Sequence, residues 1–371
     1  MVQKFERGAA SSALATSVIH HAEFDRSLDE ILESLNDPAG APIILGLGVP
    51  GFGKTELARM VEGQIARTRV DAMLADPNHV PVVRIEAFAP DAGRSFGWRE
   101  GFLSILAQLG EQDLDLRVGD ALDRLALIER RSNAQRTRGN AQLQLDVIDG
   151  LNFHTTIALL IDEIEHIAYQ HDVARFGASA DILKTIANET GVRILATGSY
   201  EGLGFRSVSG QLLRRMRPLH FRRYRAHVPT EFAEYTRVIA AMLEMIGYEG
   251  APAALVPTLY RQSLGAIGTT ADLLMRADHA WRAHGDSLVH GITRNSRSDD
   301  DLAKVAAGII EAEKSLETQP EARTKLDALI GLAQASEALI PTRKPRTTPK
   351  RTTRPGRRKP SRDLVGIGRG R

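Results

Sequence analysis

Ile43-Ile44-Leu45-Gly46-Leu47-Gly48-Val49-Pro50-Gly51-Phe52-Gly53-Lys54-Thr55 is the stretch that decides how this chain folds. An apolar run of strand length passes into a glycine-rich turn, and a segment of helical period follows over 56–65. Residues 48–55 satisfy G-x-x-x-x-G-K-[ST]. In that pattern the glycines let successive backbone N–H groups and a helix N-terminus converge on an anion, the lysine adds a point charge, and the hydroxyl reaches Mg²⁺. The expected phosphate-binding residues are Gly48, Pro50, Gly51, Phe52, Gly53, Lys54, Thr55 and Glu56. Thr55 is the expected metal ligand.

The second half of such a site is legible downstream. An apolar strand over 157–161 ends in Asp162-Glu163. Two acids at the C-terminal end of a buried strand put one carboxylate, Asp162, in the metal shell and the next, Glu163, where it can act as a base on water. A further strand over 192–196 ends in Thr197-Gly198-Ser199, a place where a hydroxyl can meet the terminal phosphate or the attacking water; Thr197 is the first choice and Ser199 the second. Two more strands are expected over 81–86 and 219–221. Between 206 and 225 there are seven arginines and no acid, and so many uncompensated guanidinium groups beside a nucleotide sheet suggest phosphate contact, in cis or in trans.

Composition narrows the class. The 371 residues are 43% hydrophobic and 5% aromatic with no cysteine, which excludes disulfides, thiolate metal sites and cysteine nucleophiles. No run is long and apolar enough to span a membrane and no signal-peptide pattern occurs at the start, so the expected location is the cytoplasm and no membrane contact is expected. The net charge of +2 hides an asymmetry: residues 341–371 carry twelve Lys or Arg against one Asp, giving +11, and residues 1–340 carry −9. This tail, rich in Pro, Thr, Gly and Arg, is expected to be disordered and to meet a polyanion. Arg94, Arg99 and the arginines at 130–138 are further candidates for DNA contact.

Around the sheet, a packing helix is expected over 21–35 and another over 100–109. Three helices with apolar faces follow at 230–246, 253–264 and 269–284. A loop over 285–298 then leads to helical stretches at 299–316 and 321–339. The domains read as an N-terminal helical segment (1–40), a nucleotide-binding domain (41–225), a helical lid (226–290), a C-terminal helical extension (291–340) and the basic tail (341–371).

Five strands alternating with helices, the acids ending the third, a polar end to the fourth, an arginine before the fifth and a trailing helical domain together resemble the AAA+ ATPases over about residues 41–284. The segments LLIDEIEHI, RILATGSYEG, QLLRRMRPLHFRRY and LGAIGTTADLLMRA are similar to the transposition regulators of the TniB and TnsC type, which are more distantly related to IstB and MuB. The resemblance implies an α/β AAA+ core with a five-stranded parallel sheet and helical lid, and ATP with Mg²⁺ as cofactors. It also implies ATP hydrolysis with Glu163 as base, and a trans-acting arginine finger at Arg215. Such proteins form rings or helical filaments on double-stranded DNA, without sequence preference, and work with a transposase and a targeting protein. Two positions depart from the pattern: Met216 follows Arg215 where the family has Phe, which leaves Arg214 and Arg217 as rival fingers, and Thr269-Thr270-Ala271-Asp272 has no arginine for a second sensor. Two other readings remain: a nucleotide-switched signalling or defence ATPase with a protein partner, and a helicase loader.

Overall fold

The computed structural model describes residues 14, 17–87, 96–114, 139–168, 173–207, 214–284, 287–317, 326 and 328–330. Arg94, the arginines at 130–138 and the basic segment 341–371 lie outside the described residues. Five strands, β1 (Ile43–Gly48), β2 (Val82–Glu86), β3 (Ala158–Asp162), β4 (Arg193–Gly198) and β5 (Met216–Phe221), form one sheet in the order β2-β3-β4-β1-β5. Every pairing is parallel. Strands buried on both faces need apolar residues at odd and even positions alike, and β1, β3 and β4 have them. Ile43, Leu45, Leu159, Ile161 and Ile194 join the core on one face, while Ile44, Leu160 and Leu195 join the core on the other. β5 is an edge strand paired only with β1, which accommodates Pro218 and its missing N–H.

Helices α1 (Ala22–Asn36) and α2 (Lys54–Thr68) cover one face, followed by the short α3 (Val70–Ala75). The other face carries α4 (Trp98–Leu114), α5 (Asn140–Phe153) and α7 (Val173–Thr190). The short α6 (Glu165–Ala168) follows β3, and a 3₁₀ helix, Tyr200–Ser207, follows β4. Five parallel strands between two layers of helices are the α/β architecture that the sequence predicts.

Beyond the sheet, α8 (Pro229–Met245), α9 (Pro252–Ser263), α10 (Ile267–His284) and α11 (Leu288–Arg294) build their own core around Tyr235, Leu259, Leu274 and Ile292. Helix α11 corrects the expected loop over 285–298. Ser287 caps it by accepting from His290 N, and Gly291 lets it lie against Ala277, where a Cβ would sit 2.8 Å from the Ala277 carbonyl oxygen. The last long helix among the described residues, α12 (Asp299–Leu316), returns to the sheet layer, with Ile309 in the core shared by α1 and α2. All of these elements belong to one compact unit ending at Glu317.

The arginine run also differs from its expected reading. Arg222 pairs with Glu23 at 3.3 Å, Arg223 grips both oxygens of Glu313 at 2.8 and 3.0 Å, and Arg225 pairs with Glu231 at 2.6 Å and Glu317 at 3.3 Å. Acids from α1, α8 and the C-terminal end of α12 thus neutralise three guanidinium groups that stand uncompensated in sequence.

Candidate functional site

The turn from β1 to α2 is shaped by its glycines. Gly51 (φ 75°) and Gly53 (φ 102°) occupy the left-handed region, which costs glycine little. Gly46 and Gly48 have another reason: a Cβ would lie 2.2 Å from Phe221 Cζ at Gly46 and 2.7 Å from Phe221 Cβ at Gly48. Phe221 stacks on Phe52 at 5.3 Å between centroids, and Phe52 stacks on Phe24 at 6.4 Å. The Phe52 side chain is therefore a buried support beneath the loop.

Lys54 opens α2 and its ammonium turns back on the loop, donating to the carbonyls of Gly48 (3.2 Å) and Val49 (3.0 Å). Burial lowers its pKa; Glu165, then Asp162, then Glu163 act in the opposite direction. Thr55 is exposed at the second helical position, and Glu56 pairs with Arg59 at 3.2 Å. Pro50 and Gly51 are covered from the helical bundle. Gly268 N donates to Gly51 O at 2.7 Å, Thr269 Oγ1 donates to Pro50 O at 3.3 Å, and neither Gly51 nor Gly268 has room for a Cβ. The first turn of α10 thus rests on the loop through one backbone N–H and the Thr269 hydroxyl. Arg276, the next arginine along, bonds back to Asp272 O at 3.2 Å. Beside the loop is a cleft of about 360 Å³ lined by Phe24, Phe52, Glu56, Arg59, Ile267 and Asp272 among others.

Asp162, at the end of β3, is 3% exposed. One oxygen, Oδ1, accepts from Thr197 Oγ1 at 2.7 Å and from Glu163 N at 3.0 Å. Glu163 has a left-handed backbone, φ 56°, a conformation that costs a non-glycine residue on the order of 1–3 kcal/mol and clusters at functional sites. Its carboxylate accepts from His166 Nε2 at 3.2 Å. Thr197 lies inside β4 and not beyond its end, and its hydroxyl is committed to Asp162. Ser199 differs: its N–H donates to Glu165 Oε2 at 3.0 Å, while its buried hydroxyl has no partner among the described residues. Of the two hydroxyls read from the sequence, Ser199 is the one with an unused donor.

Arg215 stands one residue before Met216, which pairs with Ile43, whereas Gly48 pairs with Phe221 at the other end of the same ladder. Six residues of strand separate them, roughly 20 Å at 3.3 Å per residue. Its guanidinium contacts Asn188 Oδ1 of α7. The structure therefore brings Lys54, Thr55, Asp162, Glu163 and Thr197 together at the C-terminal ends of the strands and places Arg215 at the opposite end. Sequence reasoning missed Glu165, His166 and the Gly268–Thr269 contact. The acid two places after Asp162-Glu163 was a visible signal for the first; nothing local marked the last.

The residues present fit a nucleotide and Mg²⁺: a glycine-built cradle, a lysine bonded among the described residues only to loop carbonyls, a buried acid held in one orientation and a hydroxyl without a partner among them. No protein-family model matches the chain and no curated protein is similar to it in sequence. Among solved structures it is similar to a Walker-type ATPase of Pyrococcus abyssi, at 15% identity over 83% of this chain and 76% of that one, with a TM-score of 0.46. It is also similar to domain III of the Thermotoga maritima replication initiation protein DnaA, at 12% identity over 74% of this chain and 92% of that one, TM-score 0.42. A third is Cdc6p from Pyrobaculum aerophilum, at 14% identity over 74% and 66%, TM-score 0.43. These are distant likenesses of chain path; the chemistry of the site rests on this chain's own residues. No described helix is long and apolar enough to cross a membrane.

Proposed function

We propose that the chain binds and hydrolyses ATP with Mg²⁺ and self-associates in its ATP-bound state on duplex DNA, as a transposition regulator does. The observation that carries this reading is the convergence of Lys54, Asp162, Glu163 and Ser199 at one end of the sheet with Arg215 roughly 20 Å away at the other. Lys54 would exchange two loop carbonyls for phosphate oxygens. Asp162, oriented by Thr197 and by the Glu163 N–H, would hold the metal together with Thr55. Glu163 would accept the proton of the attacking water, and the Ser199 hydroxyl would orient that water or the terminal phosphate. When bound, Mg²⁺ supplies charge neutralisation at the phosphates. Arg215 cannot reach its own site across the length of a strand, so a role at phosphate requires a neighbouring subunit. The four segments similar to the TniB and TnsC type and the +11 tail support duplex DNA, a transposase and a targeting protein as partners.

Electron microscopy with a non-hydrolysable ATP analogue, with and without duplex DNA, tests the proposal. Rings or filaments that need the analogue, lengthen on DNA and are lost in Arg215→Ala are expected. Assemblies that form with the analogue and ignore DNA would shift the reading to a switch acting on a protein partner. A monomer under every condition would refute it.

A further inference from the structure

Glu165 belongs to no motif of the site, yet it occupies the middle of it. As the first residue of α6 it projects to the end of β4, where Oε2 accepts from Ser199 N at 3.0 Å. The carboxylate fills the space beside Gly198 so closely that a Cβ there would lie 2.2 Å from Oε2. The turn is pinned from the same side by Ile164 N, which donates to Thr197 O at 2.9 Å. Glu165 is thus fixed at the C-terminal end of β4, against the Ser199 backbone and beside Gly198. Burial lowers the pKa of the Lys54 ammonium, and the charges of Glu165, Asp162 and Glu163 act against that. Three carboxylates around one ammonium leave the site negative before any phosphate enters.

On the reading that this is a nucleotide site, we infer that Glu165 sets its preference between nucleoside triphosphate and diphosphate. Held at the end of β4 beside Ser199, its carboxylate puts negative charge where a terminal phosphate would enter, and it opposes that phosphate when one arrives. A diphosphate lacks the group that meets this charge, so the cost falls on the triphosphate. The residue acts by positioning and charge, not by chemistry on the reacting atoms, and it keeps ATP binding weak enough to reverse.

Two variants separate its charge from its hydrogen bond. Glu165→Gln keeps an acceptor for Ser199 N and drops the charge; Glu165→Asp keeps the charge on a shorter arm. Affinities for a non-hydrolysable ATP analogue and for ADP, both with Mg²⁺, are read by calorimetry on the full chain. Glu165→Gln should bind the analogue about tenfold more tightly than wild type, the order of one unit-charge interaction in a partly solvated site, with ADP changed less than about twofold. Glu165→Asp should keep the wild-type ratio. The gain in the Gln variant should shrink between about 0.1 M and 1 M salt as the charge is screened, which a purely structural effect would not do. An unchanged ratio in Glu165→Gln, or equal loss of both ligands, overturns the inference. A wild-type chain that binds neither nucleotide, like its Lys54→Ala variant, overturns the phosphate-loop reading itself.

Discussion

Replacing Thr197 by valine removes one hydroxyl and almost nothing else. The side chain stays β-branched, it stays in a strand, and its volume hardly changes. What goes is the 2.7 Å bond to Asp162 Oδ1, made between residues that are 1% and 3% exposed. A hydrogen bond to a charged group contributes about 1.5–3 kcal/mol, and the buried carboxylate would retain only the Glu163 N–H as a donor. With a urea m-value of about 3 kcal/mol/M or more for a unit of this size, the midpoint should fall by up to about 0.5–1 M. Thr197→Ser is the control. It keeps the hydroxyl and loses a buried methyl, for about 1 kcal/mol. Valine should therefore be the worse substitution although it is the more apolar one in an apolar strand. Urea unfolding followed by circular dichroism ranks the two, and magnesium-dependent nucleotide binding, expected to weaken in the valine variant alone, reports on Asp162. If valine proves as stable as serine or more so, the hydroxyl does not hold Asp162 and the reasoning fails.

Glu163→Gln should preserve nucleotide binding and slow hydrolysis by about 10²-fold or more, because a carboxamide cannot take the proton from water; turnover at the wild-type rate would mean another base. Glu313→Gln should cost about 3–5 kcal/mol by stranding the Arg223 charge in a largely buried pair, and hydrogen exchange across α12 should show that helix loosening first. His21 is held neutral by burial, with its pKa lowered to about 4, and Nδ1 accepts from Phe24 N and sits 3.1 Å from the Tyr224 hydroxyl. Between about pH 6.5 and 4 the unfolded chain binds a proton that the folded chain does not, so stability falls as pH falls through that window, by up to about 3 kcal/mol from this group. His21→Phe should flatten that slope by one proton; an unchanged slope in the pH dependence of the unfolding midpoint would show that His21 is not responsible. Removing residues 341–371 should weaken duplex DNA binding and reduce the slope of log affinity against log salt, since the lost charges release counterions; equal slopes would mean the tail does not touch phosphates.

What the sequence determined by itself were the features encoded by near neighbours. Glycines at 51 and 53 are cheap in the left-handed region wherever they stand, and an apolar run ending in two acids is a buried strand with carboxylates at its end whatever surrounds it. The five strands, the loop and the three larger helices of the bundle follow from that local chemistry, and so does the fold class. The tertiary structure decided everything that depends on a partner distant in the chain. Arg223 and Glu313 are ninety residues apart, and Arg222 and Glu23 are 199 apart; until the chain closes, seven arginines look unpaired. Phe52 belongs to a ligand loop in sequence and to a stack with Phe24 and Phe221 in space. Thr197 and Ser199 are equivalent as letters, and only β3 and the helix α6 after it, by placing Asp162 against one and Glu165 against the backbone of the other, make one a support and leave the other with a free donor. Hydrogen-bond partners and charge neighbours are set by which strands lie side by side, and local spacing carries no record of that order.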